Sequence, residues 1–267
     1  MDATIRFWDK RVNNTYIQYG SAYNGYSYAM YNAARKVGNP APGGDAGNNT
    51  SVPGQPVPFK NGEEYRYAKV GQGFLIRSLK ASDVIKFNNN RRTTNIGTVY
   101  FGRNTQEDNK DMYRIQLITP RDLALTQTVA YLNGGNNAFG IEDSKHPSTN
   151  SSDAFYSVVN GEKLIINGKD IFNTNDIVKL GTNNYEAGVY KIRAIDQEGI
   201  FANGQPIYIK DNILNVIADL TESSYEFTST SGAFTNRFEI FYKPESPTLG
   251  TSFLSKTNIE IFRDGAE

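Results

Sequence analysis

The 267-residue chain is long enough for one large or two modest domains with a real hydrophobic core. Lys plus Arg and Asp plus Glu balance at 28 each, so no long-range field favours nucleic acid or an anionic membrane, and no basic stripe is interleaved with aromatics. The absence of cysteine excludes disulfides, thiolate metal sites and cysteine nucleophiles together, and no apolar run approaches the ~18 residues of a spanning helix.

The first ten residues lack a basic region followed by an apolar stretch, so Met1 reads as the start of a fragment rather than of a signal peptide. Strands are predicted over 4–8 and 16–19, and the best helical spacing falls on 26–36, a short surface helix or turn. Residues 38–58, rich in Gly, Pro and Asn, read as a long exposed loop. Strands over 73–77 and 84–87 complete an N-terminal β-rich region, residues 1–97.

From 98 to 245 short alternating segments follow one another at 113–118, 126–132, 154–159, 163–166, 177–180, 188–195, 207–209, 216–220 and 225–227. Phe238, Ile240 and Tyr242 then keep the period of two and are placed facing inward, after a turn assigned to 231–238. Six Asn-Gly dipeptides, starting at 24, 61, 133, 160, 167 and 203, mark positions where hairpin turns need positive φ. Together with 17 Tyr, 15 Phe and 24 Gly they predict an all-β protein. The expected architecture is an antiparallel β-sandwich, immunoglobulin-like or jelly-roll-like, with the additional N-terminal β-rich region. Residues 246–267 read as a linker and one further strand, 258–262.

The chemistry-bearing residues give little. His146 is the sole histidine, it lies in the polar run Asp143-Ser144-Lys145-His146-Pro147-Ser148, and no Gly-x-Ser-x-Gly elbow accompanies it. It reads as a solvated loop histidine, and a zinc site has too few ligands. Asp108, Asp111, Asp143 and Asp153 are weak calcium candidates, because calcium accepts carboxylates and carbonyls; the spacing matches no EF-hand, and solvated turn residues are the plainer reading. A glycosidase needs two carboxylates ~5 to ~9 Å apart, and no pair here has a distinctive setting. Gly71-Gln72-Gly73 leads into a strand, not a helix, and so is no phosphate loop. An isopeptide from Lys163 to Asn167 or Asp211 finds no support in the spacing. Trp8 reads as core, whereas Tyr19, Tyr23, Tyr26 and Tyr28 are candidate sugar-binding rings beside a turn.

One segment carries a resemblance. Residues 207–242 hold a strand ending in Lys210-Asp211, then Asp219-Leu220, Tyr225-Glu226-Phe227-Thr228, and a Gly232-to-Arg237-Phe238 run. Further pieces are Phe7-Trp8-Asp9, Val70-Gly71-Gln72-Gly73-Phe74, Ile85-Lys86-Phe87-Asn88, and Gly161-Glu162-Lys163-Leu164-Ile165-Ile166-Asn167-Gly168. Together they resemble Bacteroidetes surface proteins exported by the type IX secretion system, in the β-rich region preceding the C-terminal sorting domain. The resemblance implies a secreted or cell-surface protein, partnered by the type IX translocon and its outer-membrane proteins, with residues 246–267 opening a truncated sorting domain. A "G-N-P-Y-P-S" segment and a "P-N-P" opening, both expected of that group, are missing here, so the chain reads as part of a longer polypeptide. The function it implies is a non-catalytic, adhesin-type module with no cofactor; the alternative is a carbohydrate-binding module of a secreted polysaccharide-degrading enzyme.

Overall fold

A computed structural model of the chain describes residues 2–8, 28–44, 68, 73–89, 110–147 and 153–244. Among these residues there are sixteen strands and no α-helix. In chain order they are β1 (Thr4–Trp8), β2 (Tyr28–Asn32), β3 (Val37–Asn39), β4 (Gly43–Gly44), β5 (Phe74–Ile76), β6 (Asp111–Ile118), β7 (Leu123–Tyr131) and β8 (Ser144–Lys145). They continue as β9 (Ala154–Val159), β10 (Glu162–Lys169), β11 (Val178–Asn184), β12 (Gly188–Glu198), β13 (Tyr208–Asp211), β14 (Val216–Asp219), β15 (Tyr225–Ser229) and β16 (Gly232–Phe241). The all-β expectation holds.

The large sheet runs β14-β13-β16-β11-β9-β10-β7-β6-β12-β15, with β4 and β8 attached to β7 and β10. Its pairs are antiparallel except β7 with β10, which run parallel. Alternate residues of each strand point to one side and share one apolar core: Tyr113, Ile115 and Leu117 from β6, Leu125, Val129 and Tyr131 from β7, Tyr190 and Ile192 from β12, and Phe238 and Ile240 from β16. Side chains of the terminal strand β15 reach β16 across this core, with the Phe227 and Phe238 rings 4.9 Å apart. The sheet is therefore curled, nearly closed like a barrel, around a single interior.

A small sheet, ordered β3-β2-β1-β5, lies on the outside of this body. Met30 packs against Ile165 and Ile166, and Val37 against Met112 and Ala130. Polar contacts fix the docking: Asn39 donates to the Thr126 carbonyl (3.0 Å) and accepts from the Thr128 hydroxyl (2.7 Å), while buried Arg114 donates to the Gly38 carbonyl (2.8 Å). Strands β6 and β7 are thus covered on both faces, which explains burial without alternation along nearly their whole length.

Several expectations are corrected. The helix placed over 26–36 is, in its described part, strand β2 followed by a turn at 33–36, because Ala29, Met30, Tyr31 and Asn32 are all buried and no face is left for water. The loop expected from 38 begins buried: residues 38–42 lie against the large sheet. Residues 84–87 form no strand, and Phe87 is 74% exposed. Asn160-Gly161 makes the expected hairpin turn, with φ of 51° and 81°, but Asn167-Gly168 lies inside β10. There the glycine serves close approach: a Cβ at Gly168 would stand 2.6 Å from the Glu142 carbonyl oxygen. The turn assigned to 231–238 is mostly strand β16, broken by a bulge, since Leu180 pairs with Phe238 but Thr182 with Phe234. Strands 16–19 and 258–262, the Asn-Gly pairs at 24 and 61, Gly71 and Gln72, and the Trp8 side chain lie outside the described residues.

Candidate functional site

At one end of the curled sheet three buried tyrosines converge. Tyr131 donates to Asp176 (2.8 Å), and the Tyr131–Tyr242 and Tyr113–Tyr242 oxygen pairs are each 2.6 Å apart. Each hydroxyl has one proton, so with Tyr131 committed to the carboxylate the chain runs from Tyr113 through Tyr242 to Tyr131. Burial pushes all three hydroxyls well above the ordinary tyrosine range. Lys169 adds its ammonium to Asp176 at 3.2 Å. Phe172, in the loop after β10, meets Tyr131, Phe201 and Tyr242 edge-on at 5.2, 5.2 and 5.0 Å and pins that loop to the core. Outside the pin, Asn137, Ile171, Asn173, Asn175 and Asp176 line an open depression of about 160 Å3.

Nearer the other end, the β16 bulge turns Arg237 inward. Its Nε and Nη2 both bond Asp211 Oδ2, at 3.0 and 2.8 Å, and its Nη1 donates to Ser229 at 2.9 Å. Phe227 lies 4.4 Å beneath the guanidinium. Asp211 also accepts the amides of Ile213 and Leu214 and the Tyr225 hydroxyl, so its oxygens are occupied. This is a structural junction of four segments, with no lone pair directed at a ligand.

His146, expected to be solvated, is buried at 8% exposure. Its amide bonds the Lys163 carbonyl (2.8 Å) and its ring meets Tyr156 at 6.0 Å. Burial, with a smaller push from Lys163, lowers its pKa to about 4, so it is neutral at physiological pH. Asp143 and Asp153, read as solvated turn residues, are buried as well. Asp143 accepts the Gly140 (2.8 Å) and Gly168 (2.9 Å) amides, and desolvation raises its pKa to about 6. Asp153 accepts from the Tyr185 amide and the Tyr190 hydroxyl, and Asp111 from the Ile200 amide. The structure brings none of these carboxylates together; among the described residues no group of three His, Cys, Asp or Glu is arranged to hold a metal. Asp108 lies outside the described residues, as do Tyr19, Tyr23 and Tyr26. Tyr28 is half-buried at the end of β2, opposite Trp8.

Sequence reasoning missed Asp176 and its asparagine neighbours. The one available signal was Asn173-Thr174-Asn175-Asp176, a polar run set between Ile171-Phe172 and Ile177-Val178. An all-β protein with a curled sheet, a docked small sheet and an amide-lined depression at one end is the class that these observations define. The chain belongs to a family described as a domain of unknown function (DUF8693), whose model matches residues 1–242 and so takes in both sheets. Neither a curated protein nor a solved structure matches it.

Proposed function

We propose that the chain is a non-catalytic, adhesin-type module of a protein exported by the type IX secretion system, displayed on the outer-membrane exterior and engaging the export machinery. The observation that supports this reading is the junction around Asp211. The motif residues that carry the resemblance, Asp211, Tyr225, Phe227, Arg237 and Phe238, are the ones in mutual contact, as expected of a segment that acts as one structural unit. Non-catalytic use agrees with the spending of the buried carboxylates on backbone amides. On this reading the curled sheet is an immunoglobulin-like or jelly-roll-like sandwich whose layers meet at the β15–β16 contact. Residues 1–97 are its N-terminal β-rich region and 98–245 the sandwich.

The test is localisation in the organism that makes the protein. Antibodies against the chain should label intact cells, and the label should vanish from the surface when the type IX translocon is deleted. Surface label that survives the deletion, or label found only inside the cell, rules the proposal out.

A second reading, glycan recognition as an accessory module, is favoured by one observation, the depression beside Asp176. A glycan array with the soluble chain tests it, and a blank array removes it.

A further inference from the structure

The side chains around the depression are oriented by groups that can only donate. Asn137 Oδ1 accepts the Asp170 amide (3.2 Å), Asn173 Oδ1 the Asn175 amide (2.8 Å), and Asn175 Oδ1 the Lys243 ammonium. Neither a backbone N–H nor an ammonium can accept a hydrogen bond, so each amide has one possible orientation and keeps its NH2 for other partners. At Asp176 both Tyr131 and Lys169 bond Oδ2, which leaves Oδ1 as an acceptor. Ile171, 62% exposed, adds an apolar surface.

We propose that this depression binds one neutral, polyhydroxylated ring, the terminal unit of a glycan. Three NH2 donors match hydroxyl oxygens, a carboxylate oxygen takes a hydroxyl proton, and Ile171 covers the C–H face of the ring. The carboxylate in the wall, Asp176, is paired with Lys169, so recognition there falls to hydrogen bonds with hydroxyls rather than to net charge. The volume, about 160 Å3, is roughly half of the ~300 Å3 at which pockets for drug-sized molecules begin, which suits one ring and not a longer segment. The surface is held ready: Phe172 and Asp176 anchor the loop in the core, so little ordering is required on binding. The inference rests on the glycan-recognition reading and gives it a place distinct from Tyr28.

The experiment is amide chemical-shift mapping of the intact chain with glucose, galactose, mannose and N-acetylglucosamine in turn. Each is raised to about 50 mM, well above the millimolar Kd that a single ring's contacts supply. At least one sugar should shift the amides of Asn137 and of Ile171 through Asp176. Asn173→Ala and, on a separate loop, Asn137→Ala should each weaken that binding by about tenfold while the core amides stay unmoved. A disaccharide carrying the same ring at its non-reducing end should bind at least as well as the free sugar. Shifts confined to the surroundings of Tyr28, or binding indifferent to both variants, overturn the site and leave glycan recognition standing. No shifts with any sugar, together with a blank glycan array, overturn both. Weaker binding of the disaccharide than of the free sugar overturns the assignment to a chain end.

Discussion

His146 and Asp143 stand three residues apart and respond to acid in opposite senses. His146 has its pKa lowered from 6.5 to about 4, so the unfolded chain takes up its proton first; the stability it contributes is full above pH 6.5 and is lost as pH falls towards 4. Asp143 is raised from 3.8 to about 6; its contribution is full below pH 3.8 and is lost as pH rises through 6. Between about pH 4 and 6 the two slopes oppose each other. Urea unfolding across that window should show Asp143→Asn gaining on the parent as pH rises, and His146→Gln gaining as pH falls. A difference from the parent that is independent of pH would show that neither group is buried as described. His146 was not legible because the run from Asp143 to Ser148 offers no apolar alternation and reads as a loop. What buries it is non-local: the Lys163 carbonyl, the Tyr156 ring and the pairing of β8 with β10. The residue-scale junction at Asp211 gives a second prediction. Arg237→Ala leaves a buried carboxylate uncompensated and should cost about 3–5 kcal/mol in urea unfolding, whereas replacing both partners by apolar residues should recover part of the loss.

Among elements, β16 shows both what a period-two pattern reveals and what it hides. Phe238, Ile240 and Tyr242 were placed inward from alternation alone, and all three are buried. Phe238→Ala should therefore cost about 3–5 kcal/mol, and a loss under ~1 kcal/mol would contradict the register. The first half of the strand was read as a turn because Ser231, Gly232, Thr235 and Asn236 are turn formers. The bulge that sets Arg237 and Phe238 on the core side depends on pairing with β11, more than fifty residues earlier in the chain. Strand β2 was misread for the opposite reason: buried on both faces, it shows no alternation, and its small and aromatic residues fit a helical stripe as well. The tyrosine chain joins β6, β7 and the end of β16. Tyr242→Phe removes its middle hydroxyl, strands that of Tyr113 while Tyr131 keeps its bond to Asp176, and should lower stability by about 1–3 kcal/mol in thermal or urea unfolding.

Over the whole molecule, the strand-rich character from 111 onwards was legible, while the docking of the N-terminal sheet was not, since it rests on Asn39, Arg114 and Met30 meeting partners far away in sequence. The family match ends at Tyr242, which among the described residues is also the last of the apolar core. A chain ended at Pro244 should thus unfold within a few degrees of the full chain, and a larger drop in midpoint would mean that the remaining residues contribute to the core. The position of β16 bears on time as well as on space. It lies between β11 and β13, which have no hydrogen-bonded contact with each other, and it is the last strand to leave the ribosome among those described. Until residue 241 has been made, two sheet edges stand open and the interior lacks Phe238 and Ile240. Closure is an event that waits for β16 to emerge: released chains ended before Gly232 should be cut readily by protease, and those ended at Pro244 should resist. How long the nascent sheet stays open to chaperones is set by the clock of elongation, and no single contact upstream can shorten it.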